Sequence, residues 1–265
     1  MRVTAEGSSG EAVEDTYGLG LEEPRALLSS AQLFTALQLA DSAFPSGRYT
    51  LSHGLESLVQ AGEVAVGASV PVLSALLADQ VEHAIAPADG VALAWAHRAV
   101  PTAPAADAYD EQLTREVDLR LSSVKLTRET REASTRTGRG LLSTVVGSFA
   151  GPAVLAYGRL VRAGAVPGHG AVVMGLLAAE RNVPLVSAVT AELYAFAAGW
   201  VNASVRLGVA DHRTAQAVLH RCEPAVASAA SAACAARLDD MHSCTPLVDV
   251  MSMRHEQASL RLFRS

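Results

Sequence analysis

Nowhere in this chain do β-branched residues alternate with polar ones over the length of a strand. Apolar residues instead return every three or four positions, in runs bounded by proline or glycine. That period belongs to a helix with one buried face. Half of the residues are hydrophobic but only 5% are aromatic, so the apolar mass is Ala, Val and Leu. Ala and Leu favour helices, and a core built from them closes best by packing helix on helix. The expected fold is all-α, a single-domain bundle of about ten helices with no convincing strand and no internal repeat.

The punctuation places the elements. Residues 1–25 hold Gly, Ser and acids with almost no apolar periodicity, and read as a disordered acidic extension. A helix starts at Ser29 or Ser30 with Leu33, Phe34, Leu37 and Ala40 on one face, and stops before Pro45. Phe44-Pro-Ser-Gly47 is a turn; Thr50 or Ser52 caps the next helix, and Gly62 ends it. Ser69 caps a third, with Pro71 in its first turn, and Pro87 breaks it. A fourth spans about residues 88–99 and residues 101–104 form a loop. A long helical stretch from Ala106 is interrupted near Ser122-Ser123 and resumes after Thr127. Pro152, Pro167 and Pro184 mark later helix starts, and Gly164 and Gly208 look like glycines just past helix ends. Asp211 caps a last long helix to about Leu238, kinked at Pro224. The chain thus divides into the extension 1–25, a helical domain 26–240 and a tail 241–265.

Charge excludes some functions. Glu6, Glu11, Glu14, Asp15, Glu22 and Glu23 against Arg2 and Arg25 give the extension −4 of the chain's net −6. The rest is nearly balanced, unlike the basic footprint of a nucleic-acid binder. Cys222, Cys234 and Cys244 are an odd number without CxxC spacing, which fits a reducing cytoplasm better than a disulfide framework. The N-terminus lacks the apolar stretch of a signal peptide. Residues 184–205 are long and apolar, but Glu192 near the middle would cost about 2.5–3.5 kcal/mol in a bilayer. They read as a buried helix, with no membrane partner expected.

Catalytic signatures are weak. No GxxxxGK loop precedes the lone Lys125, and no serine sits in a GxSxG elbow. His53 and Glu56 lie three apart and would share a helix face, a candidate acid/base pair for a small hydrolase or an ordinary interface contact. His242 and Cys244 have metal-like spacing, but two ligands do not make a site, so no metal or cofactor is expected. Arg115, Arg120, Lys125, Arg128, Arg131, Arg136 and Arg139 form either a solvated face paired with Glu116, Asp118, Glu129 and Glu132, or a docking patch for an acidic partner. The tail is the odd feature. Leu247, Val248, Val250, Met251, Met253, Leu260, Leu262 and Phe263 load an end that is usually frayed and polar. Such a segment docks on its own domain or on a partner, and the partner is the favoured reading.

Three segments carry a resemblance. Residues 37–56, LQLADSAFPSGRYTLSHGLE, residues 194–207, YAFAAGWVNASVRL, and the ending MRHE at 253–256 with RLFRS at 261–265 resemble the urease accessory protein UreF family. Arg48 stands where the family has a small residue, Ser259 and Leu260 depart from its ending, and the acidic extension is not part of its pattern. The resemblance implies a non-enzymatic, cytoplasmic, all-helical homodimer. It would join the UreD/UreH protein and the GTPase UreG in a chaperone complex that delivers nickel to apo-urease. It marks Pro45, Gly47, Tyr49, Ser52, His53, Gly54, Glu56, Arg254, His255, Glu256, Arg261 and Phe263 as partner-contact or loop-ordering positions. Without it, the residues alone allow a helical adaptor for another GTPase or metalloenzyme.

Overall fold

A computed structural model describes residues 28–101, 109–256 and 263. The expectations for residues 1–25, for positions 102–108 and for Arg261 fall outside those residues. Among the described residues, twelve α-helices run in order: α1 (Ser30–Ala40), α2 (Leu55–Gln60), α3 (Val70–Gln80), α4 (Val91–Arg98), α5 (Glu111–Val124), α6 (Arg128–Val145), α7 (Pro152–Arg162), α8 (Gly170–Glu180), α9 (Leu185–Arg206), α10 (His212–Arg221), α11 (Glu223–Ala235) and α12 (Pro246–His255). No strand occurs among the described residues, so the fold is all-α.

Helix α8 is the hub. Every residue from Gly170 to Ala178 is buried, as expected of a helix that is apolar all round. It packs against α4, α6, α7 and α9. Small residues make this possible: a Cβ on Gly175 would lie 2.4 Å from the carbonyl oxygen of Leu93 in α4. Trp200 and Tyr157 are the largest fully buried side chains, in a core made mainly of Ala, Val and Leu.

Local signals set most helix ends. The Ser29 hydroxyl accepts from Gln32 N, and the Gln32 side chain accepts from Ser29 N, a reciprocal capping box. Asp110, Thr127 and Asp211 each accept from the backbone N–H three residues on. Gly164 and Gly208 take the left-handed conformation past their helices.

Four expectations are corrected. Leu33, Phe34 and Leu37 are exposed, and α1 instead buries Thr35 and Leu39. Neither Thr50 nor Ser52 caps α2, because residues 48–50 form a 3₁₀ turn and Gly54 holds the cap position without a side-chain bond. The expected last long helix is two, α10 and α11, with Pro224 in the first turn of α11, where a missing N–H is harmless. Pro87 does not end a helix. It sits in a π-helical segment, Val81–Gly90, that joins α3 to α4. In an α-helical ladder Pro87 would leave the carbonyl of His83 without a donor. That oxygen accepts from Cys244 N at 2.8 Å, and Pro87 O accepts from His242 N at 3.2 Å. The chain leading into α12 therefore satisfies the carbonyls of this wide turn.

A second lock holds α5, α6 and α8 together. The Asp118 carboxylate accepts from Gly168 N at 2.8 Å and His169 N at 3.0 Å. Gly138 in α6 faces the same loop, where any Cβ would lie 2.0 Å from Gly168 O. His169 is fully buried, with Nδ1 2.9 Å from Ser134 Oγ. Burial, aided by the charge of Lys125, pushes its pKa down from 6.5 to about 4. The unfolded chain thus takes up a proton between those values that the folded chain refuses. The stability this group confers is complete above pH 6.5 and declines as pH falls through that window. Thermal unfolding should show a Tm that drops between neutral pH and about pH 4.5, with a shallower slope in His169→Gln.

Candidate functional site

The sharp turn after α1 and the end of the chain meet on one side of the bundle. Gly47, at φ 80°, turns the backbone into the 3₁₀ turn, and His53 and Gly54 also have positive φ. The turn fits closely. A Cβ on Gly140 of α6 would come 2.8 Å from Ser46 O, and one on Gly54 would come 2.7 Å from Val248 Cγ1 of α12. Gln80, with its amide oriented to satisfy both neighbours, donates to His53 O at 3.1 Å and accepts from Trp200 Nε1 at 3.2 Å.

Glu56, at the start of α2, is 1% exposed and points at the tail. Its Oε2 lies 3.3 Å from His255 Nε2 and accepts from Phe263 N at 3.0 Å. The other ring nitrogen, His255 Nδ1, lies 2.9 Å from Oε2 of Glu129 in α6. His255 thus joins two acids whose side chains, like its own, are at most 7% exposed. Around it, Ser252 Oγ is 3.0 Å from the Oγ1 of Thr127, which caps α6. Glu256 Oε1 accepts from the first N–H groups of α6, those of Arg128 at 3.1 Å and Glu129 at 3.4 Å, a placement the helix dipole favours.

An aromatic sandwich completes the contact. The Arg206 guanidinium at the end of α9 lies 4.2 Å from the Tyr49 ring centroid and 4.4 Å from that of Phe263. Tyr49 is 57% exposed and Phe263 only 6%. Residues from all three of the segments singled out in sequence thus touch in space, across separations as large as 207 residues.

Most of the flagged positions lie here. Pro45 and Gly47 are exposed in the turn; Ser52 is buried with no partner for its hydroxyl; Arg254 points to solvent beside the inward His255 and Glu256. Residues 246–256 pack on their own domain, against α2 and α6, where the sequence reading favoured a partner. The buried charges of Glu56 and Glu129 draw His255 inward, whereas Leu247, Val250 and Met253 remain exposed on the opposite face of α12. Sequence reasoning missed Glu129, Val248, Gly140 and Arg206 as parts of this contact. Arg206 stood inside a quoted segment, but nothing local marks the other three.

The candidate acid/base pair does not form. His53 precedes α2 and does not lie on it, and its ring meets Phe196 edge-on at a centroid distance of 4.5 Å. Burial, then the charges of Arg48 and Lys125, lowers its pKa to about 4. It lines a cavity of about 140 Å³ that also holds two ion pairs, Arg48 with Glu192 at 2.7 Å and Lys125 with Asp89 at 2.7 Å. Arg48, the departure from the family turn, thus neutralises the acid in the middle of α9. His242 and Cys244 are tied by their backbone N–H groups, and no cluster of three or more His, Cys, Asp or Glu among the described residues could hold a metal ion. No helix among them is long and apolar enough to cross a membrane.

Two tests follow from this geometry. Replacing His255 with alanine removes the buried side chain that both Glu56 and Glu129 meet and should cost about 3–5 kcal/mol in urea unfolding, far beyond a surface substitution. Gly54→Ala adds a methyl group at positive φ against Val248, and should raise amide exchange in residues 246–256 before it affects α8.

A protein-family model described as UreF matches residues 71–223. The chain is 33% identical over 243 residues to the urease accessory protein UreF of Rhodopseudomonas palustris (strain HaA2), covering 91% of this chain and 97% of that protein. It is 35% identical over 250 residues to the protein of the same name from strain BisA53, covering 92% and 98%. The UreF of Arthrobacter sp. (strain FB24) is 31% identical over 229 residues, covering 86% and 95%.

Proposed function

The chain belongs to the UreF family of urease accessory proteins, and from that premise we propose that it works as a non-catalytic chaperone of nickel insertion, acting in the cytoplasm by protein–protein binding. In this reading it bridges the GTPase UreG and the UreD/UreH protein, and reaches apo-urease through that complex.

The observation that carries the reading is the clasp between turn and tail. It sets α12 rigidly on the domain and leaves Leu247, Val250 and Met253 exposed, spaced three apart on one face. An amphipathic helix held in place, with an unpartnered apolar stripe and Arg254 beside it, suits a protein partner better than a substrate. Tyr49, pinned by Arg206 yet exposed, adds a residue type enriched at binding hot spots. We assign this face to the UreD/UreH protein.

A second apolar surface supports a homodimer. Leu37 of α1, Val186 and Tyr194 of α9 and Leu219 of α10 line one groove, and Leu33 and Phe34 of α1 are exposed as well. Apolar residues gathered into one patch on a protein surface mark an interaction site. This face is on different helices from the α12 stripe, so both can be occupied at once.

The test is co-purification of the full-length chain with UreD/UreH and UreG. Retention of UreD/UreH is the expected result, with loss in a Leu247→Ser, Val250→Ser, Met253→Ser variant whose Tm is unchanged. A full-length chain that retains neither protein would sink the proposal. For the dimer, Phe34→Asp with Leu37→Asp should halve the mass measured by light scattering; an unchanged mass refutes this choice of face.

A further inference from the structure

The cavity of about 140 Å³ that His53 lines is walled on one side by helix α12. The turn after α1, the π-helical segment, α6, the first residues of α8 and the middle of α9 make the rest. Leu51, Ile85, Phe196 and Val248 give it apolar surface. Arg48, Glu192, Lys125 and Asp89 give it charge, and all four side chains are at most 18% exposed. Lys125, read in sequence as part of a solvated or docking face, lines this cavity instead.

The two ion pairs do not use up the polar groups. Arg48 spends only Nη2 on Glu192, at 2.8 and 2.7 Å. Its Nε and Nη1 hydrogens have no acceptor among the described residues. Lys125 gives one hydrogen to Asp89 Oδ2, at 2.7 Å, and keeps the others. Gly170 and Ala171, first in α8, also line the cavity, and no side chain caps that helix end. The orphan N–H groups of a helix start favour negative charge. On the opposite account stands Asp249 of α12, a lining carboxyl with no ion pair among the described residues. Burial pushes its pKa up, against a bond from the Thr245 backbone. His53 is neutral near pH 7, because burial and the charges of Arg48 and Lys125 push its pKa down to about 4.

Apolar walls, a few convergent polar groups and a displaced pKa together are the form that a small-molecule site takes. The unmet groups are of two kinds, donors on Arg48, Lys125 and α8 and an acceptor on Asp249. A lone carboxylate would add charge near three acids and leave Asp249 unmet. A lone amine would leave the cationic donors unmet. A guest with both ends answers both, and its apolar body meets Phe196 and Val248. A cavity of about 150 Å³ holds one benzene molecule elsewhere, so the room suits a compact guest and excludes a nucleotide or a peptide.

We propose that this cavity binds a short aliphatic amino acid as its zwitterion, the carboxylate met by Arg48, Lys125 and the start of α8 and the ammonium by Asp249. Thr245, Val248, Asp249 and Ser252 all belong to the segment that closes the cavity. A guest that binds only beneath a seated α12 stabilises that seat. It would thereby hold the exposed stripe of Leu247, Val250 and Met253 in place. The inference rests on the cavity and does not depend on the role in urease maturation.

Titration calorimetry on the full-length chain tests it, with valine and alanine beside isobutyrate and isobutylamine, which carry one charged end each. Valine should bind saturably in the millimolar range or tighter, alanine more weakly, and valine should slow amide exchange in residues 246–256. Asp249→Asn should weaken valine about tenfold or more, the effect of losing one hydrogen bond to a charged group. Ala84→Phe, which fills the room from the π-helical segment, should abolish binding, with an unchanged Tm in both variants. No saturable binding of either amino acid by the wild-type chain overturns the proposal. Isobutyrate or isobutylamine binding as tightly as valine overturns it too, because one end then suffices. Valine binding that survives Ala84→Phe places the guest elsewhere and overturns it as well.

Discussion

One buried histidine decides how the tail of this molecule is seated. His255 stands between Glu56 and Glu129 with all three side chains almost wholly withdrawn from water. Buried polar side chains are tolerated only where they find partners. The cluster is stable only when α2, α6 and α12 meet in one register. That requirement turns the tail from a loose apolar end into a seated helix.

Several weaker contacts depend on that register and reinforce it. Glu256 reaches the N-terminus of α6 only because His255 is already in place one residue earlier, and Ser252 meets Thr127 one turn before. Val248 closes over Gly54, where no side chain would fit. On the far side the π-helical segment hands two carbonyls to the chain before α12. The start of the tail is thus fixed through backbone groups and its end through charge. Arg206, between Tyr49 and Phe263, then ties both rings to α9.

The same arrangement divides the surface of α12 by chemistry. Its charged and small residues, His255, Ser252 and Glu256, face inward, whereas Leu247, Val250 and Met253 face water. Met251 is buried beside them, so α12 carries apolar residues on both faces, and a segment so apolar in sequence can be fixed to its own domain and still offer an apolar face. Helix α1 is alike, burying Thr35 and Leu39 while Phe34 stays 68% exposed. Both helices place apolar area where another protein can cover it.

Much of the fold was legible in sequence because its causes are local. Ser29, Asp110, Thr127 and Asp211 announce helix starts through bonds to their own first turns, and Gly164 and Gly208 announce ends through a backbone conformation that other residues resist. The all-α class follows from period and composition alone. The sequence also marked turn and tail as unusual, and the family resemblance named both. Direction was not legible. Which face of α1 or α12 turns inward, whether Pro87 ends a helix or sits in a wide turn, and whether Glu56 answers His53 or His255 all depend on partners far along the chain, up to 207 residues away. Spacing in sequence tells which side chains share a face, and it holds no information about what that face will meet. Only the tertiary structure supplied Glu129, Val248 and the freed carbonyl of His83, because burial of charge and satisfaction of backbone groups are settled by the whole packed chain.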